Sequence, residues 1–130
     1  MNRKVLIICI LSIFIYRCNL DNAPEGKKLY NQHCANCHME DGQGLRSLIP
    51  PITNTSYIDK NRAQLPCWIK NGLNGELTID GKKFNGEMPG VPYLSDAQIA
   101  NIINYIQQSW HKGLKFYSES EVTKALKECK

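Results

Sequence analysis

Hydrophobic and polar positions divide this chain into segments of different period. Val5 to Tyr16 is an almost unbroken apolar run, with Ser12 and the Tyr16 hydroxyl as its polar groups, and Asn2, Arg3 and Lys4 precede it. So short a run behind a basic cluster, with no polar face and no N-cap, predicts a signal-peptide core rather than a membrane span or a buried helix. Residues 1–17 are therefore set aside as a leader and 18–23 as a polar linker. Pro24 suits the first turn of a helix. Leu29 and Tyr30, with His33 and Cys34 one turn later, extend that helix. Asp41-Gly42-Gln43-Gly44 and Pro50-Pro51 predict a long loop, because glycines and prolines break the helical period. Leu65, Trp68 and Ile69 predict a short helix that ends near Gly72 and takes Pro66 into its first turn.

Beyond that helix the pattern changes twice. Leu77 to Phe84 predicts a β-hairpin, with Asp80-Gly81 supplying the two positive-φ residues of a tight turn. Gly86 to Pro92 is a glycine- and proline-rich loop containing Met88. Ser95 with Gln98 forms a capping box, and Ile99, Ile102, Ile103 and Ile106 then follow at the spacing of one apolar helical stripe. Gly113 closes that region. A last helix is predicted from about Ser118, with Glu121 three residues on and Val122, Ala125, Leu126 and Cys129 on one face. The expected domain spans 24–130, with a C-terminal extension from about 111. It is all-α, with four to five short helices and one small hairpin ahead of the methionine loop.

Composition narrows the function. Charged residues make up 22% and aromatic residues 8%, an ordinary globular balance. The formal charge is +4, but the leader contains Arg3, Lys4 and Arg17, and without these three of 16 basic residues the chain has 13 against 12 acidic. So even a balance excludes nucleic acid as an expected partner.

Six cysteines sort by position. Cys9 lies in the leader. Cys18 follows it directly and resembles the lipidated cysteine of bacterial lipoproteins, although Tyr16 and Arg17 stand where that motif has small residues. A diacyl group on Cys18 would tether an exported protein to the periplasmic side of a membrane. Cys67 and Cys129 stand alone, and an oxidising compartment favours their pairing. That bond would close a loop of about 60 residues and contribute roughly 3–4 kcal/mol.

The remaining two cysteines form Cys34-Ala35-Asn36-Cys37-His38. Cys-x-x-Cys-His reads as a c-type haem attachment site. Two thiols three residues apart reach the two vinyl groups on one porphyrin edge, and the next residue aims an imidazole at the iron. A thioredoxin-like dithiol would need a βαβ context that is missing here. A zinc site would need a second ligand pair at similar spacing, whereas Cys67, His111 and Cys129 are scattered. A plain structural disulfide between Cys34 and Cys37 is the least expected reading. A buried haem would also supply apolar volume to a chain with few large apolar side chains.

On this motif and its surroundings the chain resembles a class I, single-haem cytochrome c over most of residues 24–110. The resemblance implies His38 as the proximal iron ligand and Met88, in Gly86-Glu87-Met88-Pro89-Gly90, as the distal one. It implies that Pro50, or failing that Pro51, accepts a hydrogen bond from His38 Nδ1, and that Gly26 and Tyr30 meet Tyr105 where the first and last helices cross. Met39 and His33 adjoin the motif too closely to reach the opposite haem face. His111 lies beyond the family pattern, and His33 and His111 are both expected at the surface. Tyr57, Arg62 and Trp68 are open candidates for the haem propionates.

The family implies one covalent haem c and one-electron transfer without catalysis. Expected partners are a quinol-oxidising complex or dehydrogenase on one side and a terminal oxidase or reductase on the other. Two alternatives remain: a fixed haem subunit of a larger dehydrogenase or reductase, and a haem-based sensor or peroxidase.

Overall fold

The computed structural model describes residues 23–53 and 56–129. The leader, Cys18 and nearly all of the linker lie outside the described residues. Among those described are six α-helices rather than four or five: α1 (Ala23–His33), α2 (Ala35–His38), α3 (Ser56–Lys60), α4 (Leu65–Asn71), α5 (Asp96–Trp110) and α6 (Glu119–Lys127). A 3-10 turn at Arg62–Gln64 leads into α4. The additional helices, α2 and α3, are four and five residues long, too short to show a 3.6-residue period. No helix among the described residues is long and apolar enough to cross a membrane.

Strands are few and short: β1 (Gly72–Leu73), β2 (Leu77–Ile79), β3 (Lys82–Phe84) and β4 (Met88–Pro89). The β2–β3 hairpin turns at Asp80 and Gly81, whose φ angles are 49° and 78°. Positive φ at both central residues gives the twist that a two-residue hairpin needs. The β1–β4 pair is antiparallel, with Gly72 opposite Pro89 and Leu73 opposite Met88.

The core lies on α5. Ile99, Ile102 and Ile103 are fully buried, and Leu29, Leu65, Ile69, Leu94 and Val122 pack around them. Each such side chain contributes about 1.5–3 kcal/mol by leaving water. Ser95 starts α5 with a complete capping box: its side chain accepts from Gln98 N, and the Gln98 side chain accepts from Ser95 N. Helix α1 crosses α5 at Gly26, where a Cβ would lie 2.8 Å from Tyr105 Cβ and would also strike the Asn101 carbonyl. Tyr30 fills the crossing, with ring centroids 5.3 Å from Tyr105 and 5.5 Å from Trp110.

The C-terminal extension folds back as α6 and covers α4 and α5. Tyr117 sends its hydroxyl to the Arg62 carbonyl at 2.6 Å, and the Arg62 guanidinium lies 3.9 Å above its ring. The buried Gln107 amide, oriented to pair both its atoms, donates to the Lys115 carbonyl at 3.1 Å and accepts from Arg62 Nε at 3.0 Å. A disulfide joins Cys67 on α4 to Cys129, with S–S 2.07 Å and a separation of 62 residues.

A second capping box starts α6. Ser118 accepts from Glu121 N at 3.3 Å, while the Glu121 carboxylate accepts from Ser118 N at 2.8 Å and pairs with Lys115 at 3.0 Å. The backbone bond first, then Lys115 and the Ser118 hydroxyl, hold the Glu121 carboxyl at about 2 against an ordinary 4.5. A depressed carboxyl adds stability that is complete above its unfolded pKa and disappears as pH falls through its folded one. Thermal midpoints should therefore fall between pH 4.5 and 2, and Glu121→Gln should fall less steeply over that window. Parallel melting curves for the two proteins check this.

Candidate functional site

The cysteine motif sits where α1 gives way to α2. Cys34 interrupts the helix with φ −120° and ψ −39°, and its carbonyl accepts from His38 N at 2.9 Å to form the single turn of α2. That turn puts Cys34, Cys37 and His38 on the wall of one cavity. Met39 then takes φ 63°, a left-handed conformation that costs a methionine energy. The Tyr30 hydroxyl holds this bend by donating to the Met39 carbonyl at 2.7 Å. No local pattern announced that bond, because its partners lie nine residues apart on either side of the helix break.

His38 is oriented from behind. Its Nδ1 donates to the Pro50 carbonyl at 3.2 Å, since a carbonyl can only accept. The proton fixed on Nδ1 leaves the Nε2 lone pair free, which is the tautomer a metal-binding imidazole needs. Burial lowers the His38 pKa, and the Pro50 bond opposes that shift. Cys34 and Cys37 are free thiols, Cys34 partly buried and Cys37 exposed. Burial, and next the neighbouring Cys37, push the Cys34 thiol up to about 12.

The cavity extends from this motif across the molecule, with about 1160 Å³ of empty space counted out to its solvent-facing mouth. Its walls are mostly apolar, including Ile52, Leu65, Ile69, Phe84, Ile102 and Ile106. Met88 lines the same cavity. It is carried by β4, paired to β1 at the end of α4. Close backbone contact makes this possible: a Cβ on Gly72 would lie 2.5 Å from the Met88 carbonyl, and one on Gly90 would lie 2.6 Å from Gly72 N. Val91 N donates to the Ile69 carbonyl at 2.8 Å, and Lys70 Nζ donates to the Leu94 carbonyl at 2.6 Å. The methionine loop is thus bolted along the last turn of α4. Gly72 and Gly90 were visible in the sequence, but not that they meet.

Other expected groups fall differently. Tyr57 and Trp68 both line the cavity and stack at 5.8 Å. Arg62 does not line it, being engaged by Tyr117, Gln107 and the Lys115 carbonyl. His33 is partly exposed beside Tyr93, with Nδ1 3.4 Å from the phenol oxygen. His111 is not a surface residue: it is 5% exposed, because its ring caps the Ile52 carbonyl beneath the end of α5.

Two free thiols, an imidazole with an open Nε2 and a thioether on one apolar cavity are a donor set that fits a covalently attached haem. The fold and site define a small haem-binding electron-transfer domain. The family description "Cytochrome c" matches residues 23–110. Cytochrome c-552 of Thermus thermophilus is 34% identical over 109 residues, covering 77% of this chain and 82% of that protein. The cytochrome c subunit of the quinone-type alcohol dehydrogenase of Gluconobacter oxydans (strain 621H) is 31% identical over 88 residues, covering 65% of this chain and 18% of that one. The gluconate 2-dehydrogenase cytochrome c subunit of Pantoea cypripedii is 29% identical over 108 residues, covering 73% and 22%.

The chain belongs to the cytochrome c family. It is an electron-transfer protein rather than an enzyme, and it carries one covalently bound haem c.

Proposed function

We propose that this cytochrome holds its haem through thioethers at Cys34 and Cys37, with His38 and Met88 as the axial iron ligands and Pro50 orienting His38. The observation that carries the assignment is the shared cavity, which is lined both by the motif histidine and by a methionine 50 residues downstream. The haem supplies a one-electron couple, and histidine–methionine ligation raises its potential. The apolar walls exclude water, and two protein ligands leave the iron no position open to substrate. Exposed Cys37 lies on the wall at the motif end of the cavity, so an attached haem has an edge near the surface for outer-sphere transfer.

The protein works, in this reading, as an exported shuttle on the periplasmic side, held to the membrane by a lipid on Cys18. Its partners are redox proteins: a quinol-oxidising complex or dehydrogenase as donor and a terminal oxidase or reductase as acceptor. Contacts with them are small and transient. The second reading, a fixed haem subunit, draws support from the relatives named as cytochrome c subunits of dehydrogenases.

Affinity purification of the tagged protein from its native membranes separates the two. Recovery without a stoichiometric partner supports the shuttle, and a dehydrogenase recovered in equal amount would replace it with the subunit. Ferrous protein that binds carbon monoxide readily would instead favour a sensor or peroxidase.

A further inference from the structure

We infer that His111 is a positioning residue for the His38 side of the haem site, acting through the Ile52 carbonyl on the Pro50-Pro51 segment. The inference rests on the reading of His38 as an iron ligand.

The segment that faces His38 is anchored on both sides of its prolines. Before them Ile49 pairs with Leu45, with Leu45 N donating to the Ile49 carbonyl at 2.9 Å and Ile49 N to the Leu45 carbonyl at 3.2 Å, and after them Ile52 is bonded in turn. Pro50 and Pro51 have no backbone N–H to donate, so the carbonyl that receives His38 Nδ1 is located by its neighbours. Ile52 supplies the second anchorage at both of its backbone groups. Its N–H donates to the Gly42 carbonyl at 2.9 Å, and its carbonyl accepts from His111 Nε2 at 2.6 Å. Between Ile52 and the Pro50 carbonyl lies only Pro51, whose φ is fixed by its ring. Few torsions are left there to absorb a shift at Ile52, so part of it reaches the Pro50 carbonyl.

His111 is built for this hold. Its side chain is 1% exposed, and its Nδ1 lies 2.7 Å from Asp59 Oδ1 on α3. Its own N–H closes α5 by donating to the Gln107 carbonyl at 2.9 Å. The ring has a polar partner at each nitrogen, a carbonyl at Nε2 and a carboxylate at Nδ1. One ring thus ties the end of α5, helix α3 and the proline segment together. His111 lies just past the residues that match the family, 23–110.

The test compares holoprotein carrying His111→Leu, which removes both ring nitrogens, with His111→Gln, which keeps an N–H for the Ile52 carbonyl. Two readouts report on His38 rather than on overall stability. One is the reduction potential. The other is solvent exchange of the His38 Nδ1–H, followed by NMR in the ferrous protein. A looser Pro50 bond makes His38 a less basic ligand, so His111→Leu should raise the potential. It should also speed exchange about tenfold, the weight of one hydrogen bond. His111→Gln should return both most of the way.

Wild-type potential and exchange in His111→Leu would overturn the inference, whatever its melting temperature. If that variant does not fold, Asp59→Leu removes the more exposed partner and should move both readouts the same way by less; no movement would overturn it. A wild-type spectrum without six-coordinate haem c would remove the ligand reading itself. Unchanged variants beside a normal wild-type spectrum would remove only the inference.

Discussion

Met88→Ala protein should keep its covalent haem but lose the weak near-infrared sulfur-to-iron band of the oxidised form, and its reduction potential should fall by a few hundred millivolts, within the roughly 0.8 V that axial ligation spans. The direction follows from the ligand. A thioether favours the ferrous iron, so removing it favours the ferric. The loop itself should survive, because its attachments are backbone bonds and Lys70 rather than the Met88 side chain. Carbon monoxide should then bind the reduced variant at the vacated position. A redox titration with spectra at each potential measures all three effects. An unchanged band and potential would place the distal ligand elsewhere.

Loss of the Cys67–Cys129 bond should produce the largest change in stability. A closed loop spanning 62 residues of sequence restricts the unfolded chain by about 4 kcal/mol on the loop-entropy estimate. In a domain of about 100 residues that corresponds to a fall in Tm on the order of 20 °C. The Cys67→Ala/Cys129→Ala protein should show this fall in thermal denaturation. Wild-type protein treated with a dithiol reductant should match it, while the double variant should not respond to the reductant. The folded state should change little, because Leu65 and Ile69 of α4 are buried in the core independently of the bridge.

Local chemistry was readable from the chain, and contacts between distant segments were not. Ser95 with Gln98, Ser118 with Glu121, and Asp80-Gly81 each act within four residues, and each forms the cap or turn its side chains specify. The isoleucine stripe of α5 was equally plain, since burial of one face imposes its period. The motif reads as a haem attachment site, because that chemistry demands its spacing. The helix break at Cys34 was hidden, as the apolar period runs through it while the backbone turns.

Pairing of β4 with β1 depends on two glycines 18 residues apart meeting face to face. Nothing near either one specifies that approach. His111 misled in the same way. It lies beyond the family pattern and was expected at the surface, whereas its burial depends on a carbonyl 59 residues earlier. Arg62 was available as a propionate partner until Tyr117, from the extension, was found beneath its guanidinium.

The most direct test of His38–Met88 ligation is a visible and near-infrared spectrum of the oxidised and reduced protein, produced with haem-maturation machinery. The reduced α-band of haem c should appear together with the weak sulfur-to-iron band in the oxidised form, the signature of His38 and Met88 on one iron. A haem c spectrum without the sulfur band would contradict that ligation, taking Met88 off the iron and opening the distal side to ligands.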